Sequence, residues 1–413
     1  MRAAASTLLL AAVLLATLAG AQDKPKLPAW KLDPYTHGDP KLMKELGYVN
    51  FGPFPYGQKG AKGCTSEDVE KHLGYERILW VETAHFKIGS MLPEWSVPEE
   101  VETKAKLRKE LEFLKKKLPK INPTTRVLDP WLRLHLVAYR MEEIYKSIQD
   151  LFAVTDANFP LDETKVITGQ GEYMGHGPYL GMRKKYEILI FEKTSTFQDY
   201  LKNFVGRVTT FEQRWHFKET GSLWFGVPID RGEGQLKHDT GLHQCLGHNL
   251  AHNLLDGFRH YSYDLPTWLT EGFAHWFERT IAPKWMSYCQ NEASLAEMKN
   301  EYKFKSVARR LVETGKGTVF SEAFGWRDYS QVSWNDHVLL FARIDFLMSM
   351  GKDKFAVFLR KVKGRVDKNW LPNQENLVGA CRDALQEVYS LSPLTFDDKF
   401  KAWVIKTYPV QEQ

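Results

Sequence analysis

The stretch GHNLAHNLL, residues 247 to 255, carries two histidines four positions apart. Four residues of α-helix turn about 400°, so His248 and His252 project from one face, a single turn apart. Two imidazoles so placed can chelate one Zn2+. Nineteen residues after His252 stands Glu271, within LPTWLTEGFAHWFE (265–278), where Pro266 marks the start of a helix. A carboxylate in the first or second turn of that helix can return to the ion as a third ligand. Two His and one Glu, with a fourth position left open, form a standard donor set for a catalytic zinc site. The histidine pair alone fits packing or hydrogen bonding as well; the second motif moves the reading toward metal.

HNLAH, an interval of 18 residues and then EGFAHWFE together resemble the gluzincins, the peptidase MA-like zinc metallopeptidases. Their pattern is H-E-x-x-H, a similar interval and a ligand Glu that often opens E-G-x-A. The resemblance extends outward to YEILIFEKTSTFQDYL (186–201), like the strand and helix that lead into that domain, and YSQVSWNDHVLLFARIDFLM (329–348), like the helix after the third ligand. The closing DDKFKAWVIKTYP (397–409) is similar to the end of exported bacterial members, so the likeness covers roughly residues 180 to 410. It implies an α+β fold with a mainly helical zincin domain, and Zn2+ held by His248, His252 and Glu271.

The departure lies at the centre of the motif, where Asn249 stands in place of the glutamate that serves the family as general base. An amide accepts no proton from water, and losing one positioned acid/base group typically costs ~10²- to 10⁴-fold in rate. The expectation is a metal-binding pseudopeptidase that holds a peptide, a protein or a C-terminal carboxylate, with the Asn249 amide offering a hydrogen bond. Two alternatives stay open: an active hydrolase with a non-standard base, and a metal-free structural scaffold. For the first, His275 is the candidate base, about 40° from Glu271 in helical projection; its other readings are a partner that orients a ligand or a surface residue. Glu278 shares that face at about 20°, but two turns, some 10 Å, further along the axis.

Around this core the assignments are looser. Asp256, one turn beyond His252, can support it through a hydrogen bond or face solvent. His243 is turned roughly 140° from His248, so it reads as a helix-start or core residue. Cys245 reads as packing. Tyr329 and His337 lie where the family often places an oxyanion-stabilising group, and spacing does not choose between them. Trp268, Trp276, Trp326 and Trp334 read as core rather than as an aromatic groove.

The chain has 413 residues, 43% of them hydrophobic and 13% aromatic, enough for one large domain or two closely packed ones. Residues 1–21 have a basic start, an apolar run and the small residues Ala19-Gly20-Ala21, the pattern of a secretory signal peptide. The expectation is export to a periplasm or the extracellular space, with no membrane span after cleavage near Gln22. Four cysteines, Cys64, Cys245, Cys289 and Cys381, are too scattered for a disulfide scaffold. The net charge of +5 is small and dispersed, so nucleic-acid binding is not expected.

Four segments follow from composition and periodicity: the signal, an extended Pro/Gly-rich lead-in (22–75), an N-terminal α+β region (76–180) and the gluzincin-like domain (181–410). Strands are expected at 77–90, 186–191 and 220–230, and helices near 97–118 and 128–152. A Ser/Thr-capped short helix should follow the strand at 186–191. From about 238 the pattern is helical, over 240–256, 265–282, 291–314, 328–349, 352–364, 373–389 and 395–407.

Overall fold

Alternation of side chains across a strand decides which residues of YEILIF reach which core, and the computed structural model bears this out for β7 (Tyr186–Phe191). The structure describes residues 27–161, 172–232, 234–285 and 303–411. Signal residues 1–21 and Cys289 lie outside them, as does the first half of the helix expected at 291–314. In β7, Ile188 and Ile190 join the large core shared with the helices, whereas Leu189 and Phe191 enter a second core on the opposite face.

Five strands form the central sheet: β3 (Leu79–Glu82), β4 (Phe86–Ser90), β7, β8 (Gln213–Phe217) and β9 (Ser222–Pro228). They lie in the order β3-β4-β7-β9-β8, with β4, β7 and β9 parallel and both edge strands antiparallel. The strand expected at 77–90 is therefore two, folded back at Thr83–His85, where the Thr83 hydroxyl and the His85 amide both donate to Glu142. Because β4 pairs with β7, one sheet draws strands from both sides of the boundary expected near residue 180. Two glycines make room for tryptophans on the second face. A Cβ at Gly89 would meet Trp80 and Leu189 at 2.5 Å, and one at Gly226 would meet the Trp224 ring at 2.1 Å.

The lead-in is more structured than its composition suggests. It holds α1 (Pro40–Leu46), the hairpin β1 (Pro55–Lys59) and β2 (Lys62–Thr65), and α2 (Ser66–His72). Asp39 caps α1 ahead of Pro40, and Thr65 with Asp68 forms a capping box on α2. Phe54, Tyr56, Val69 and Leu73 are buried against the sheet's second face. Next come α3 (Val101–Lys115) and α4 (Pro130–Phe152), whose preceding Asp129 accepts from the Trp131 and Leu132 amides. The pair β5 (Trp95–Ser96) and β6 (Val127–Leu128) brackets α3. After β7, α5 (Thr194–Tyr200) starts from Lys193 without a side-chain cap; Thr194 instead donates to Asp230.

Helices make up the remainder: α6 (Asp239–Gly257), α7 (Thr267–Ile281), α8 (Phe304–Thr314), α9 (Phe320–Ala323), α10 (Trp334–Ser349), α11 (Lys352–Lys363), α12 (Leu377–Tyr389) and α13 (Pro393–Thr407). Helices α4 and α6 pack on the large-core face of the sheet, α7 packs on α6, and α10 packs on α7. The molecule is mixed α+β. Trp268, Trp326 and Trp334 are buried, and Trp276 donates its indole N–H to Asp345 at 3.0 Å, so these rings serve the core. No helix among the described residues is long and apolar enough to cross a membrane.

Candidate metal centre

Every residue of α6 is buried, including its polar ones. Buried polar groups need partners, so the partners show what each residue is for. His243 Nδ1 lies 2.7 Å from Lys106 Nζ, in a network at the start of the helix. Asn253 Nδ2 donates weakly, at 3.4 Å, to the Trp224 carbonyl. Cys245 is fully buried.

His248 and His252 of α6 and Glu271, His275 and Glu278 of α7 converge. His248 and His252 share a face as the spacing requires, with ring centroids 5.0 Å apart. His248 Nδ1 lies 3.1 Å from Glu278 Oε2, and the other Glu278 oxygen lies 3.1 Å from His275 Nδ1. A carboxylate can only accept, so both imidazoles donate from Nδ1 and present Nε2 as a lone pair. This is the carboxylate–histidine arrangement that orients metal ligands. His252 Nε2 faces Glu271 Oε1 at 3.4 Å, and its Nδ1 has no hydrogen-bond partner.

His337, from α10, completes the group: its Nδ1 lies 2.9 Å from His275 Nε2. The capping box of Ser333 and Asp336 fixes the start of α10 immediately before it. Close helix approach brings the rings together. A Cβ at Gly272 would come within 2.7 Å of the Leu340 carbonyl, and one at Gly247 within 2.1 Å of the terminal methyl of Ile281. The glycines of GHNLAH and EGFAH therefore set how near α6, α7 and α10 lie.

Three overlapping triads each offer ligand atoms within 4.8 Å of one another: His248, His252 and Glu271; His248, His275 and Glu278; and Glu271, His275 and His337. Burial lowers the affinity of the rings for protons, with His252 at about 3, helped by the nearby Arg214 charge, and His337 also at about 3. His275 shifts the same way from the same cause. Burial would raise the Glu278 carboxyl, but the facing His248 and the hydrogen bonds from both imidazoles override it and hold it at about 2. Glu271 is likewise held below the ordinary carboxylate range by the imidazoles around it, against the effect of burial. Neutral imidazoles and ionised carboxylates are the states that ligate a divalent cation.

Several expectations change. Asp256 does not serve His252; its carboxylate accepts from Arg214 Nη1 at 3.2 Å, and burial pushes it up to about 6. The Asn249 amide nitrogen does not reach toward the triad but donates to the Cys245 carbonyl at 3.0 Å, one turn back on its own helix. His275 is fully buried with both ring nitrogens facing side chains, which fits its reading as an orienting partner better than that of an open base. Glu278 and His337, left outside the site by spacing, belong to it. Comparison of the chain with protein-family models, with curated proteins and with solved structures finds no match.

Proposed function

We propose that the protein is an exported, gluzincin-like metal-binding protein in which His248, His252 and Glu271 hold one Zn2+. In this reading Asn249 leaves it a poor peptidase or a pseudopeptidase that binds a peptide or protein ligand. One observation carries the metal: His252 Nε2 and Glu271 Oε1 are 3.4 Å apart, too far for a good hydrogen bond. Two donors about 2.05 Å from a tetrahedral ion are separated by roughly 3.3 Å, which is the distance such an edge requires. Glu278 presents His248 in the ligating tautomer, and the N, N, O donor set suits borderline zinc.

Bound there, zinc would supply Lewis acidity toward a carbonyl or carboxylate oxygen. The chain's own residues supply the rest. His248 and His252 are held by a helix buried on every side, so the pair is rigid before any ligand arrives. Asn249, with its amide nitrogen donating to Cys245, offers no carboxylate to accept a proton from water. Export rests on the signal-like residues 1–21.

Metal content of the purified mature protein, measured by mass spectrometry, tests this reading. We expect at least one zinc per chain, lost in Glu271→Ala. Asn249→Glu should raise cleavage of an unstructured protein by about 10²- to 10⁴-fold. A wild-type protein that retains no zinc when supplied with it would sink the proposal, and cleavage by the wild type as fast as by Asn249→Glu would sink the pseudopeptidase part.

A further inference from the structure

We infer that Glu271, His275 and His337 form a second metal site directly beside the first, with the Glu271 carboxylate shared between two ions. The observations are geometric. Donation from Nδ1 to Glu278 leaves His275 Nε2 as the lone-pair nitrogen, and this atom faces His337 Nδ1 at 2.9 Å. Two nitrogens about 2.05 Å from a tetrahedral ion are roughly 3.3 Å apart, so the two rings need to part by only about 0.4 Å to chelate one. Glu271 presents a ligand oxygen within 4.8 Å of both. A carboxylate has two oxygens and about four lone-pair sites, so Glu271 can serve an ion with each oxygen.

His337 has a further oddity. Without an ion, its Nδ1–H must donate to His275 Nε2, which leaves His337 Nε2 a lone pair; that atom is buried with no hydrogen-bond partner. A buried polar atom of this kind costs about 1–3 kcal/mol when unsatisfied. An ion would take the lone pair of one ring nitrogen and leave the other as an N–H that donates to an acceptor. The third triad, His248, His275 and Glu278, is satisfied as it stands, because each Glu278 oxygen accepts one N–H at 3.1 Å. Glu278 therefore orients one ligand of each ion. Both sites offer imidazole and carboxylate, so both take a borderline divalent cation such as zinc. Two ions that share a carboxylate would concentrate Lewis acidity beside position 249, where the side chain supplies no base.

The inference rests on the first ion binding at His248, His252 and Glu271, and the test separates the two. The metal-free full-length mature protein is loaded with Zn2+, desalted, and its ions per chain counted by native mass spectrometry; circular dichroism reports folding. Two ions are expected in the wild type, one in His337→Asn, one in His275→Asn and none in Glu271→Ala. A single ion in the wild type, unchanged in His337→Asn, overturns the second site and leaves the first standing. No ion overturns both, and two ions retained in folded His337→Asn overturn this ligand assignment. Cobalt substitution adds a readout independent of the variants: two Co2+ that share a carboxylate should be magnetically coupled in paramagnetic resonance, and two uncoupled ions would contradict the bridge.

Discussion

Helix α6 carries two buried polar clusters, one at its start and one at its middle, and they are built on opposite plans. At the start, Asp239 meets both terminal nitrogens of Arg140 at 2.9 and 2.7 Å, and Arg140 also holds Glu110 at 3.1 and 2.6 Å. Burial pushes the Asp239 carboxyl up, but the guanidinium overrides it and keeps the acid ionised. At the middle, Glu271 faces His252 and Glu278 faces His275, and burial lowers the proton affinity of both rings. The first cluster brings its own cation, paired bidentately, and is complete as a structural joint. The second gathers imidazoles and carboxylates that could hold a metal ion, and that difference separates a buried ion pair from a candidate ligand site.

The largest effect should come from breaking the completed joint. Arg140→Ala leaves two buried carboxylates without their guanidinium and should cost about 3–5 kcal/mol of stability in urea unfolding. His252→Ala in metal-free protein should cost less, because only the 3.4 Å contact to Glu271 is lost and the His252 Nδ1 has no partner. Equal losses would erase the contrast. Next in size, zinc at about 100 times its Kd should stabilise the wild type by about 2.7 kcal/mol and leave Glu271→Ala unmoved. A thermal shift that survives in the variant would place the ion elsewhere. Glu278→Gln, which keeps shape but can present only one acceptor oxygen, should weaken zinc binding about 10- to 100-fold in a chelator competition.

The smallest effect concerns a third, partly exposed cluster in which the cation depends on pH. His85 lies 2.6 Å from Glu142 and 3.2 Å from Asp156, stacked on Tyr145. Burial would lower its pKa, but the two carboxylates prevail and raise it. The folded state therefore binds the proton more tightly than the unfolded state. Its contribution is full below pH ~6.5 and is lost as pH rises through the folded value. Wild type should lose about 0.5–1 kcal/mol relative to His85→Gln between pH 6 and 9. Parallel stability curves for the two proteins would show that the pair is not coupled to folding.

How much of this could be read from the residues follows from the range of each contact. The main helices were legible because their apolar spacing and caps are local, as with Asp129-Pro130 at α4. His248 and His252 share one helix, and Glu271 sits one short loop away, so spacing carried them. His275 and Glu278 lay on the right face in projection, but a distance along the axis from Glu271 was the wrong ruler, because Glu278 serves His248 on another helix. His337 lies 62 positions from His275 and joins it only through the packing of α10 on α7. Its one local signal is that it opens the stripe Leu340, Phe341, Ile344 of a buried helix face. Strand β8, QRWHF, went unread because an edge strand keeps polar residues, and the turn at Thr83–His85 depends on Glu142 from α4.

Gly272 has a consequence for which ions the proposed centre would accept. Its hydrogen rests where a methyl would strike the Leu340 backbone, so the α7 to α10 spacing acts as a caliper whose jaws are closed as far as a polypeptide allows. Glu271 and His275 sit on one jaw and His337 on the other. A methyl at 272 would open the jaws and favour larger cations, and the ratio of cadmium to zinc affinity would measure the opening. One hydrogen atom, packed against the Leu340 carbonyl, would thus set the ionic radius that the proposed centre admits.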